Sequence, residues 1–260
     1  MNSTRVAAIQ FKSHKLEPQR SREELATLIE QAAQNNAKIV VCPEMAISGY
    51  LFKNKQSASL FAEEPRGDTF QYFAPIAQKY QIYIICGYIE NESHSENLYN
   101  SAMVISPQGE LIVSYRKVLL YDADMAWATA GREYFLIETE YGTMTVGICM
   151  DLNDVHFPLF LLKERPVITA FCTNWLDQGE EVLPYWKMRL YGYSGIFIAA
   201  NTWGIDHPYN IEKNEILDLN LQSDEILFSG KSAILSTNEI QTCAPKEGNC
   251  IIYAKLTSTT

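Results

Sequence analysis

Histidine is scarce in this chain of 260 residues: His14, His94, His156 and His207, none near another. Neither an HExxH nor a CxxC spacing occurs, so no metal is expected. There is no GxGxxG fingerprint and no GxSxG elbow, which removes the usual dinucleotide and serine-hydrolase signals. Gly230-Lys231-Ser232 resembles the end of a phosphate loop. Glu225 stands where that loop's first glycine belongs, and a strand-like run follows instead of a helix, so the match is read as chance. Basic charge is also short. The 21 Lys and Arg against 31 Asp and Glu give a net charge of −10, which argues against a nucleic-acid partner and a polybasic membrane anchor. No apolar run approaches the roughly 18 residues of a membrane span, and MNSTRVAAIQFKSHK carries no stretch suited to export. The six cysteines are therefore read as reduced thiols in a cytoplasm-like compartment.

What the chain does have is many short apolar runs. RVAAIQF, KIVVCPE, IYIICGYI, SAMVIS, LIVSY, MTVGIC, VITAFC, GIFIAAN, SAILS and CIIYAKL are rich in Val and Ile and have the length of strands. Helical patterns separate some of them. Leu25, Leu28, Ile29, Ala32 and Ala33 repeat on one face, with Ser21 and Glu24 spaced as a capping box. Phe70, Phe73, Ile76, Ala77 and Tyr80 form a second stripe, with Asp68 as its cap, and EEVLPYWKMRLYGYS reads as a third helix. The order strand–helix–strand–helix–strand, then hairpin-like strands around PQGE, then a further strand–helix–strand unit, predicts a mixed α/β layered fold. Its strands are too numerous for one tightly connected sheet, so two packed sheets flanked by helices are expected. No linker or repeat divides residues 1–260, which are read as a single domain. Residues 205–225 read as a loop or excursion, and the tail LTSTT as frayed.

Three strings set a reactive or charged group just after an apolar strand: Glu44 in IVVCPEMAISGY, Lys117 in LIVSYRKVLLYDADMAWATAG, and Cys149 in GICMDLNDVHFP. Carboxylate, ammonium and thiol are what thiol-based amide hydrolysis uses. The thiol attacks as thiolate and needs a base. A carboxylate can take that proton and return it to the leaving ammonia. The oxyanion that forms needs a cation or an N–H donor. A cysteine is more often a core filler than a nucleophile, and Cys42, Cys86 and Cys172 keep that reading. His156 is read as packing or surface. Asp151 is read as a cap for the turn after Cys149.

PEMAISGY, SYRKVLLYD and GICMDLNDVHFP resemble, in order, the glutamate, lysine and cysteine blocks of the nitrilase superfamily, the carbon–nitrogen hydrolases. The likeness runs over about residues 4–255. It implies a four-layer α-β-β-α sandwich, no cofactor, and pairing through a helical face into homodimers or larger assemblies. Cys149 would be the nucleophile, Glu44 the general base and acid, and Lys117 the oxyanion partner with the backbone N–H of Met150. Many members carry a second glutamate after the lysine. None stands there in this chain, and Asp124 or Asp122 is the nearest carboxylate. RKVLLYDADMAWATAG and GICMDLNDVHF are also similar to fungal amidases that act on N-terminal Asn and Gln. That narrower likeness implies a small amide or a peptide N-terminus as substrate. Tyr121, Asp122, Asp124, Trp127, Trp175 and Asp177 are available around an α-ammonium. Asn174 and Trp175 either line the pocket or, for Trp175, close the core. The rival readings are a small-amide or nitrile hydrolase and a catalytically silent binding module.

Overall fold

The structure is a computed structural model that describes residues 4–210, 215–216 and 225–256. In chain order the elements are β1 (Thr4–Gln10), α1 (Pro18–Gln34), β2 (Ala37–Val41), α2 (Lys55–Ser59), α3 (Asp68–Tyr80), β3 (Tyr83–Asn91), β4 (Leu98–Ile105), β5 (Leu111–Arg116) and α4 (Asp122–Met125). Then come β6 (Ile137–Thr139), β7 (Gly142–Ile148), a 3₁₀ turn (Cys149–Asn153), α5 (His156–Glu164), β8 (Ile168–Thr173), α6 (Val182–Arg189) and β9 (Ile196–Asn201). The remaining strands are β10 (Trp203–Asp206), β11 (Tyr209–Asn210), β12 (Glu215–Ile216), β13 (Ile226–Ser229), β14 (Ala233–Ser236), β15 (Glu239–Cys243) and β16 (Cys250–Leu256).

Two six-stranded sheets carry the fold, ordered β16-β1-β2-β3-β4-β5 and β15-β14-β9-β8-β7-β6. The strands are apolar on both faces because each sheet is covered on both. In β1, Val6 and Ala8 point into the core between the sheets, against residues such as Val146, Ile148, Ala170 and Ile198. Ala7 and Ile9 point the other way, under Leu25, Ile29 and Ala32 of α1 and Phe73 and Ala77 of α3. On the far side, Phe171 and Phe197 meet Phe157 and Leu161 of α5 and Trp186 of α6. The layers are thus α-β-β-α, as expected from the resemblance.

Several local expectations need correction. Helix α1 begins three residues before Ser21, at Pro18, where a proline's fixed φ and missing N–H fit the first helical position. Ser21 lies inside the helix and its hydroxyl accepts from the His14 backbone N–H at 2.9 Å. Asp68 is the first residue of α3, with Gly67 as the cap. Helix α6 is shorter than its pattern and stops at Arg189, ahead of Gly192 at φ +83°. Helix α5 carried no signal because HFPLFLL is apolar around most of its circumference and has no clear stripe. Within 205–225, Trp203–Asp206 pairs with Ile226–Ser229, while 211–214 and 217–224 lie outside the described residues. The tail beyond Leu256 also lies outside them. Gly230-Lys231-Ser232 is the link from β13 to β14, with no helix after it. Among the described residues no helix is long and apolar enough to cross a membrane, and no group of His, Cys, Asp or Glu could hold a metal ion.

Candidate active site

Glu44, Lys117 and Cys149 each follow a strand, β2, β5 and β7 respectively, and they meet between the two sheets at one end. Lys117 is completely buried. Its Nζ lies 2.7 Å from Glu44 Oε1 and 2.5 Å from Asp124 Oδ2. Of the two candidate carboxylates Asp124 is therefore the one beside the lysine, and Asp122 is exposed. The short reach of Asp124 is met by α4, a single turn. Its Oδ2 also accepts the Tyr121 backbone N–H at 3.0 Å, so the side chain is anchored from its own helix start. The second Glu44 oxygen accepts the Asn174 backbone N–H at 2.8 Å. Asn100 bridges the two acids, donating to Glu44 at 2.7 Å and Asp124 at 3.2 Å.

A lysine between two buried carboxylates fixes the charge of the site. Burial pulls the Lys117 ammonium's pKa down, but Asp124 and Glu44 outweigh it and hold the group protonated well above its ordinary range. Burial pushes the Glu44 carboxyl up, opposed by the Lys117 charge. The Cys149 thiol is raised by burial and by Glu44, with Lys117 and Thr173 pulling it back. With one ammonium and two carboxylates the cluster already carries a negative charge. A thiolate at rest would add a second, so the resting sulfur holds its proton.

The backbone is shaped to deliver these groups. Cys149 sits at φ +43°, a left-handed conformation that costs a non-glycine residue of order 1–3 kcal/mol. Asp151 secures that elbow: it accepts the N–H of Ile148, Val118 and Leu119 and the hydroxyl of Tyr115, at 2.7–3.0 Å. One buried carboxylate thus ties the cysteine turn to the segment just after Lys117. Gly87 in β3 leaves room for the glutamate turn. A Cβ there would lie 2.5 Å from the Pro43 carbonyl oxygen and 2.6 Å from Glu44 Cα. Gly87→Ala is therefore expected to lose about 1–3 kcal/mol in urea denaturation, because backbone must move. A displaced Glu44 would cost on the order of a hundredfold in turnover.

The thiol opens onto a cleft of about 400 Å³, mouth included, lined by Tyr50, Tyr121, Met150, Asn174 and Trp175. Four of the expected pocket residues are thus brought together with Cys149. Trp175 does both things expected of it, since its ring also packs on Tyr185 and Trp186. Two do not line the cleft: Asp124 is fully buried behind it, held on Lys117, and Trp127 is 4% exposed and packs with Met45, Tyr50, Phe52 and Leu98 behind the glutamate turn. After the tight turn of α4, its backbone N–H bonds back to Asp124, which carries the indole away from the opening. His156 is exposed at the start of α5. Sequence reasoning missed Asn100, Tyr50 and Thr173. Asn100 was visible as a polar residue inside the apolar run YNSAMVIS.

Beside the cleft lies an open groove that shares Tyr121, Leu176 and Gln178 with it and adds Lys53, Asp122, Asp177 and Glu225. Asp177 is paired with Lys246 at 2.6 Å.

The chain matches the carbon-nitrogen hydrolase family over residues 5–260. A protein N-terminal amidase of Schizosaccharomyces pombe is 29% identical over 231 residues, covering 72% of this chain and 80% of that protein. The protein N-terminal amidase of Saccharomyces cerevisiae is 34% identical over 139 residues, 46% of this chain but only 30% of the longer relative. An omega-amidase of Danio rerio is 32% identical over 165 residues, covering 59% and 57%. Among solved structures, an N-terminal amidase with an Asn-Glu-Ala peptide superimposes with a TM-score of 0.80 at 15% identity, covering 97% of each chain. Saccharomyces cerevisiae Nit3 superimposes at 0.82 and 20% identity, covering 98% of this chain and 90% of that one. The two solved structures share the two-sheet sandwich, and with a family match spanning almost all of its length the chain belongs to the carbon–nitrogen hydrolases.

Proposed function

We propose that the chain hydrolyses the terminal carboxamide of N-terminal Asn or Gln in peptides, through a thioester on Cys149. The observation that carries the chemistry is the buried Glu44–Lys117–Asp124 cluster against the Cys149 thiol. Glu44 takes the Sγ proton as sulfur attacks the amide carbon. Lys117 has three N–H donors. Two serve Glu44 and Asp124, and the third is left for the oxyanion. The N–H of Met150, in the first turn after the nucleophile, is the second donor. Glu44 then passes the proton to ammonia, and activates the water that opens the thioester. Asp124 keeps Lys117 charged and in place, the work of the glutamate that this chain lacks.

The N-terminal reading is supported by similarity to N-terminal amidases and by charge. An α-ammonium suits a cleft with no cationic side chain in its lining, beside a groove whose three carboxylates, Asp122, Glu225 and the Lys246-paired Asp177, outnumber its one lining lysine, Lys53. The same lining disfavours an ω-amide that carries a carboxylate. The test is a panel of peptides beginning with Asn or Gln, their internal counterparts, and small free amides and nitriles, followed by ammonia release. Turnover confined to N-terminal Asn or Gln supports the reading. Turnover of free amides alone contradicts it and leaves a small-amide hydrolase.

Glu44 must be ionised to accept the thiol proton, and burial raises its pKa from 4.5. The acid limb of kcat/KM is therefore expected to have its midpoint above 4.5, with activity lost as pH falls through it. A limb at or below 4.5 would assign the base elsewhere.

The six unpaired cysteines fit a reducing, cytoplasm-like compartment. Assembly into dimers is proposed through α5, α6 and their ends, where Val155, Leu159, Met188 and Tyr191 are 59, 55, 61 and 80% exposed. Light scattering of the wild type and of Leu159→Glu tests this, with a dimer expected for the first and a monomer for the second.

A further inference from the structure

Thr173 closes β8, the strand paired in parallel with β7. Ile148 stands opposite Cys172 in that pairing, so one step further the ladder brings Cys149 and Thr173 side by side. Thr173 is completely buried, and its hydroxyl has no nitrogen or oxygen partner. A buried hydroxyl left alone is costly, by about 1–3 kcal/mol. The residue after it, Asn174, gives its backbone N–H to Glu44, so the same two-residue stretch touches both the thiol and its base.

We propose that the Thr173 hydroxyl is a catalytic group that donates a hydrogen bond to the Cys149 sulfur as the thiolate forms. The inference rests on Cys149 being the nucleophile. In the resting protein the hydroxyl and the thiol do not meet full hydrogen-bond geometry, as is common before substrate binds. The interaction nevertheless acts to lower the thiol's pKa. When the S–H bond breaks, its proton goes to a Glu44 oxygen and the sulfur forms its bond to the amide carbon. The Thr173 proton stays on its own oxygen and points at the sulfur throughout. The charged neighbours Glu44 and Asp124 raise the thiol's pKa, and Lys117 lowers it.

The experiment is alkylation by iodoacetamide, which reads thiolate without any substrate. The rate at Cys149 is followed by peptide mapping from neutral to alkaline pH, with the half-buried Cys243 and Cys250 as internal references. Thr173→Val keeps the shape and removes the hydroxyl, while Thr173→Ser keeps the hydroxyl. Thr173→Val is expected to slow Cys149 alkylation at neutral pH by about ten- to a hundredfold and to move its profile to higher pH. Thr173→Ser stays close to the wild type. A Val variant with the wild-type rate and profile overturns the proposal, as does a Ser variant that falls with it. Wild-type Cys149, protonated at rest, is expected to react slowly at neutral pH and faster as the pH rises. Absence of a thioester on Cys149 during turnover would overturn the nucleophile assignment itself, and this inference with it. Loss of the effect in Thr173→Val alone leaves that assignment standing.

Discussion

Cys149→Ala is expected to lower turnover by about 10⁴- to 10⁶-fold, as removal of a nucleophile does when no neighbouring group can substitute. The next thiols, Cys42 and Cys172, are fully buried, and burial first of all pushes both well above the ordinary thiol range. Neither lines the cleft. Stability should hardly change. Removing one sulfur from a residue at the cleft wall leaves a small space beside an opening, and the left-handed backbone strain at φ +43° is common to Cys and Ala. Ammonia release and urea denaturation on the same preparation separate the two effects. A variant that turns over at the wild-type rate would refute the mechanism, and one that fails to fold would show the sulfur to be structural.

Lys117→Met should do both kinds of damage. Removing one partner of a buried ion pair costs about 3–5 kcal/mol, because a charge is left without compensation. Here two carboxylates are left, Glu44 and Asp124, bridged only by Asn100. One of them must take up a proton. If that is Glu44, the base is gone as well as the oxyanion donor, so activity falls below detection even where the protein stays folded. Adding Asp124→Asn to Lys117→Met removes one of the two like charges. That double variant is expected to recover part of the lost stability and none of the activity. Equal stability of Lys117→Met and wild type would mean that the lysine is not held between the acids.

The fold was legible because its signals are local and repeated. All ten apolar runs became strands, and the two stripes under α1 and α3 describe the faces those helices bury. Two-sheet packing was legible from strand number, and the four-layer arrangement from the resemblance. Helix α5 was not, because a helix buried on one side and apolar on the other loses its periodicity. Strands β6, β10, β13 and β15 were missed because they are short: β6 and β15 are hairpin partners of β7 and β14 with much of their length facing solvent, and β10 finds β13 only about twenty residues on. Glu44, Lys117 and Cys149 stood out because each ends a strand in a recognisable string. What the strings could not say was how they meet. The choice of Asp124 over Asp122 depends on one turn of helix, and the removal of Trp127 from the cleft follows from the same turn. Asn100, Tyr50 and Thr173 act through space, from other strands and loops, and a linear reading gives them no common mark.

The central claim is that Cys149 forms a thioester during amide hydrolysis. The most direct measurement is the intact mass of the protein quenched in acid during turnover of a peptide beginning with Gln or Asn. The account predicts an adduct equal to the peptide less ammonia, on Cys149 alone, absent in Cys149→Ala. Steady ammonia release with no adduct on that residue, and with Cys149→Ala still active, would contradict it.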